Sequence, residues 1–120
     1  MRSLIPGCFL LALAISHGGA AEEPWTRHTI DNSSRGADGI RLADVNRDGG
    51  LDIATGWEEG GVIRAYVNPG PEKATKAWPA VTVGKVKSPE DAVFADLDGD
   101  GAVDVVSSCE GRTKTMFFHW

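Results

Sequence analysis

The stretch Ala95-Asp96-Leu97-Asp98-Gly99-Asp100-Gly101-Ala102-Val103-Asp104-Val105 has a counterpart earlier in the chain, Ala43-Asp44-Val45-Asn46-Arg47-Asp48-Gly49-Gly50-Leu51-Asp52-Ile53. Both read A-D-x-[ND]-x-D-G-x-[LV]-D-[IV]. Counted from the first aspartate, side-chain oxygens fall at positions one, three, five and nine, and a glycine follows the third of them. A hard cation such as Ca2+ collects about six to eight oxygens in a small volume, and a short acidic loop turned by glycine supplies them. Asp44 and Asp96 lie 52 residues apart. A period of that length marks a repeated structural unit.

Two other readings of the motif fit the residues less well. An Asp-Gly pair can simply make a hairpin turn, but a turn does not require three further oxygen residues at matched spacing in both copies. An EF-hand opens the same way, yet needs a bidentate glutamate at the twelfth loop position and flanking helices. Those positions hold Thr55 and Ser107, and the flanks Leu51 to Thr55 and Val103 to Ser107 are strand-like.

Outward from the loops the repeat continues. Trp25 to Ile30 reads as a strand, Asp31 to Gly39 as a loop, Ile40 to Ala43 as a strand into the first acidic loop, and Leu51 to Thr55 as the strand leaving it. Gly56 to Gly61 turns the chain, and Val62 to Val67 is stopped by Asn68-Pro69-Gly70-Pro71. Trp78 to Val83 then matches Trp25 to Ile30, Ala92 to Ala95 matches Ile40 to Ala43, and Val103 to Ser107 matches Leu51 to Thr55. Thr115 to Trp120 matches Ile63 to Asn68. No window carries an apolar stripe at helical spacing. The expected class is therefore all-β. About four antiparallel strands per unit is the layout of a propeller blade. The chain divides into an outer strand at 25–30, a blade at 40–83 and a partial blade at 92–120. Such an incomplete propeller, about two blades, implies further blades on a longer chain.

These residues resemble the FG-GAP/VCBS repeat proteins, whose blades also occur in the integrin α-chain propeller. The resemblance covers nearly all of residues 25–120 and is most specific at Ala43 to Ile53 and Ala95 to Val105; the Phe-Gly and Gly-Ala-Pro signatures of the family are absent. It implies one Ca2+ in each loop joining the first two strands of a blade. By resemblance the ligands are the side chains of Asp44, Asn46, Asp48 and Asp52 with the Gly50 carbonyl, and the side chains of Asp96, Asp98, Asp100 and Asp104 with the Ala102 carbonyl.

Residues 1–21 have the three-part layout of a secretory signal peptide. Arg2 is followed by the apolar run Phe9 to Ile15 and by a small-residue end with cleavage near Ala20 or Ala21. The run is too short to span a bilayer. The expected location is secreted, periplasmic or extracellular, where weak Ca2+ sites fill. Cleavage removes Cys8 and leaves Cys109 alone, so no disulfide framework is expected. Cys109 reads as a small strand-end residue. The 120-residue chain is 42% hydrophobic, with a formal net charge of -5. That suits one small folded domain and offers no basic patch for nucleic acid.

Glu58, Glu59 and Glu110 follow the second strand of each unit; they read as solvated loop acids or, less commonly, as an added carboxylate for a neighbouring metal site. His28 and His119 have no partner at zinc-ligand spacing. Trp25, Trp57, Trp78 and Trp120 suit packing between blades or, less commonly, a sugar platform. There is no G-x-S-x-G, H-E-x-x-H, glycine-rich phosphate loop or C-x-x-C-H motif, and a catalytic carboxylate pair is left open by the sequence. The expectation is a secreted, calcium-binding repeat module with a structural role or a protein or glycan partner. The alternative is the N-terminal part of a propeller enzyme such as a polysaccharide lyase.

Overall fold

Residues 25–120 are described here from a computed structural model, and the expected leader at 1–21 lies outside them. The described chain is all-β. Seven strands run in order: β1 (Ala37–Ala43), β2 (Asp52–Trp57), β3 (Val62–Tyr66), β4 (Ala80–Lys85), β5 (Pro89–Ala95), β6 (Asp104–Cys109) and β7 (Met116–His119). They form two antiparallel meanders, β1-β2-β3-β4 and β5-β6-β7. These are a four-stranded blade sheet and a three-stranded one, as the repeat requires. Leu42 pairs with Ile53 and Ile53 with Tyr66, while Phe94 pairs with Val105 and Val105 with His119. The first two strands of the two units therefore share one register, whereas the third is offset by one residue: His119, not Phe118, the repeat equivalent of Tyr66, lies opposite Val105. No helix among the described residues is long and apolar enough to cross a membrane.

The ladders move several expected boundaries. β1 begins at Ala37 and β5 at Pro89, earlier than Ile40 and Ala92, because the ladder continues past a bulge in each sheet. β2 and β6 run on to Trp57 and Cys109, so Gly56 is a strand residue and the turn is confined to the residues after Trp57. Trp25 to Ile30 is not a strand. Among the described residues its one bond to a neighbouring segment is Trp78 N–H to the Ile30 carbonyl, and Trp25 is 98% exposed. A strand needs a partner's ladder, and β-propensity alone does not create one.

The sheets pack face to face, with β5 lying across β1 and β2. Ala54 and Ile63 of the first sheet meet Ala92 and Val105 of the second, flanked by Val83, Val86 and Phe94. Full burial of a side chain the size of Ile63 is worth about 2 kcal/mol. The approach is close because β2 presents small residues. A Cβ on Gly56 would sit 2.9 Å from the Pro89 carbonyl oxygen. Gly84 likewise makes room for the His119 ring, which lies 3.0 Å from Ser107 Oγ. An Arg41–Asp91 ion pair ties β1 to β5.

The other face of the first sheet is covered from within the chain. Trp57 Nε1–H donates to Tyr66 Oη (2.9 Å), whose own hydroxyl donates to Asp31 (2.7 Å). Asp31 also accepts from Arg64 and from the Ser33 N–H and hydroxyl. Partial burial pushes the Asp31 carboxyl up. The bonds from Ser33, Tyr66 and Arg64 outweigh it and hold the group well below its ordinary range. Burial, then the Asp31 carboxylate, raises the Tyr66 phenol to about 12. The segment after Ile30 is thus pinned to β3 rather than looped free. Trp57 is buried in this network, whereas Trp25 and Trp120 are exposed and join no inter-blade core. Cys109 is buried at the end of β6 and unpaired, and burial raises its thiol pKa.

Candidate metal centre

Each acidic segment is the loop between the first two strands of its sheet, β1–β2 and β5–β6. Its first aspartate turns the chain back on itself. Asp44 accepts from the Asp48 N–H (3.1 Å) and the Gly49 N–H (3.0 Å). Asp96 accepts from the Gly99 N–H (2.8 Å) and the Gly101 N–H (3.1 Å). The third and fifth positions repeat the pattern. Asn46 accepts from Asp48 N–H and Asp98 from Asp100 N–H, while Asp48 accepts from Gly50 N–H and Asp100 from Ala102 N–H. These loops need left-handed backbone. Gly49 and Gly101 adopt φ of 86° and 89°, which glycine takes without a Cβ clash. At the fourth position the second loop again has glycine, Gly99, whereas the first holds Arg47 at φ 62°.

In the second loop Asp96, Asp98 and Asp100 each bring a carboxylate oxygen within 4.8 Å of the others. This donor set fits a hard cation: exposed carboxylates that repel one another without a positive charge between them. Asp44, Asp48 and Asp52 make no equivalent triad. The Asn46 side-chain amide instead donates to Asp48 (2.9 Å), so a neutral donor stands where the second loop has a third clustered carboxylate.

The ninth-position aspartates are placed differently. Asp52 is fully buried and Asp104 nearly so. Asp52 accepts from Val45 N–H (3.0 Å) and, through its other oxygen, from Asn68 N–H (2.8 Å), joining the loop to the chain after β3. Asp104 accepts from Leu97 N–H (3.1 Å). A carboxylate oxygen with one such bond keeps a further lone pair. Sequence spacing marked Asp52 as a ligand position but gave no sign of its link to Asn68, sixteen residues on.

The opposite end of the sheets holds a second carboxylate group. Glu58 follows β2 and Glu110 follows β6, so both lie away from the acidic loops and cannot add a ligand there. A hydrogen bond and charge repulsion from Glu110 raise the Glu58 pKa. Desolvation and the charges of Glu110, Asp38 and Glu58 raise that of Glu90. The sequence placed Glu58, Glu59 and Glu110 after the second strand of each unit; that Glu58 and Glu110 meet across the blade interface was not visible in it.

A family model described as an FG-GAP-like repeat matches residues 44–107, more than half of the chain, from the first aspartate of the first loop through most of β6. No curated protein and no solved structure matches the chain.

Proposed function

Since this chain belongs to the FG-GAP-like repeat family, we propose that it is a secreted, calcium-binding propeller repeat module that serves as a scaffold or interaction surface. The observation that carries this reading is the carboxylate triad of Asp96, Asp98 and Asp100 in a loop whose internal hydrogen bonds recur in the first unit. Asp96, Asp98, Asp100 and Asp104 with the Ala102 carbonyl would hold one ion. Asp44, Asn46, Asp48 and Asp52 with the Gly50 carbonyl would hold another. The bound ion supplies positive charge that offsets carboxylate repulsion. The chain's own contribution is to fix the hairpins: Asp44 and Asp96 fold each loop over itself, and Asp52 fastens the first loop to the chain after β3. Secretion rests on the leader layout of residues 1–21. The partner class is a protein or a glycan.

Calcium titration by calorimetry, paired with thermal melts in Ca2+ and in chelator, tests the reading. At about a hundredfold excess over Kd, one bound ion adds about 2.7 kcal/mol of stability. Absence of both binding heat and a melting shift in millimolar Ca2+ would refute calcium binding. N-terminal sequencing of the exported protein should begin just after Ala20 or Ala21.

A further inference from the structure

The hollow between the chain at Thr29–Ser33 and the outer strands β3 and β4 has no role in the metal loops or the blade interface. It measures about 360 Å³, within the range of small-ligand sites. Arg64, Asn32, Thr82 and Trp78 are among the residues that line it. Two of these are held. Arg64 is anchored through Nη1 by Asp31 and Ser33 Oγ, Asp31 is in turn fixed by Tyr66, and Trp78 is fixed by Nε1–H to the Ala74 carbonyl (2.9 Å). Arg64 carries five N–H donors, and no nitrogen of it is sealed from solvent without a partner. Asn32 and Thr82 are exposed and spend no side-chain group on the described chain. A rigid floor with unspent polar groups above it is pre-organised for a polar ligand.

Charge narrows the ligand class. Asp31 neutralises Arg64 locally, and the protein as a whole is acidic, so phosphate-rich ligands are disfavoured. What remains is a planar donor fork, a carboxamide, a hydroxyl and an indole. A pyranose ring matches that set, with paired hydroxyls for the planar groups and an apolar C–H face for the indole. We propose that this hollow binds a neutral pyranose ring of a glycan, which rests on the interaction-module reading and gives it a place on the first blade.

The test is an amide and indole NMR titration of the chain as its host processes it, in Ca2+. The probes are the methyl pyranosides of glucose, galactose and mannose, with sodium glucuronate as the charged comparison. At least one neutral glycoside should shift the Trp78 indole and the backbone signals of residues 29–33. Asn32→Ala alters an exposed side chain without internal bonds, so its spectrum should stay native while affinity falls about tenfold, the size of one lost ligand hydrogen bond. Arg64→Lys keeps the charge beside Asp31 but loses the planar fork and should weaken binding similarly. No shift with any neutral glycoside, shifts with glucuronate alone, or shifts confined to the acidic loops would each overturn the proposal. A Ca2+ titration of the same sample separates the failures: calcium binding without glycoside binding sinks the glycan site alone, and absence of both sinks the metal reading too.

Discussion

Asp52→Asn isolates what a buried carboxylate does for this fold apart from any metal. In chelator, each Asp52 oxygen still accepts one backbone N–H, from Val45 at 3.0 Å and from Asn68 at 2.8 Å. Asparagine can satisfy only one of them, and its amide then faces the other donor. A buried donor left unsatisfied costs about 1–3 kcal/mol, and the surviving bond loses its charge assistance, about 1 kcal/mol more. The sum is about 2–4 kcal/mol, a large share of the 5 to 15 or so kcal/mol that holds a domain folded. Asp104→Asn is the internal control. Asp104 accepts only from Leu97 N–H among the described bonds, which the asparagine oxygen can still take, so about 1 kcal/mol is expected. Urea unfolding in chelator, followed by the fluorescence of buried Trp57, gives both values. Equal effects within about 0.5 kcal/mol, the scatter of ordinary surface substitutions, would refute the hub role of Asp52.

Three further outcomes follow from the same geometry. The second loop carries four carboxylates and the first carries three with Asn46, so calorimetry should find tighter Ca2+ binding at the second; Asp100→Ala should remove the tighter phase, and loss of that phase in Asp48→Ala instead would reverse the assignment. Glu58 and Glu90 have raised pKa values, so their protonated forms favour the fold: that stability is full below the ordinary glutamate value of 4.5 and is lost as pH rises through the folded pKa. Glu110→Gln should therefore raise the melting temperature at neutral pH and change it little in acid, whereas a pH-independent effect would contradict the carboxylate contact. Asp31 has the opposite sign, because its depressed pKa gives stability that is present above its ordinary value of 3.8 and is lost as pH falls through the folded pKa; Asp31→Asn should cost about 2 kcal/mol at neutral pH by weakening charge-assisted bonds, and should unfold with a flatter acid limb than the parent.

The amino-acid sequence by itself determined what is local. The acidic loops span nine positions each, so their oxygens, glycines and flanking strands could be read from spacing, and their repetition set the all-β blade class. The positions of β2, β3, β6 and β7 followed from apolar runs bounded by Gly, Pro and Asn. Tertiary structure decided what depends on a partner distant in the chain. Trp25 to Ile30 has strand composition but no ladder to join, while Ala37 and Pro89 extend their strands because a neighbour's backbone lies opposite. Asp31 meets Arg64 and Tyr66 more than thirty residues away. Glu58 meets Glu110 one full repeat away, a juxtaposition set by blade packing. Asp52 shows both origins at once: its place in the loop is fixed by spacing, and its burial and its bond to Asn68 exist only once β3 has folded back beside β2. Spacing along the chain thus specifies which atoms a loop can gather, whereas hydrogen-bond partners and shared charge between segments are fixed only when the sheets close on one another.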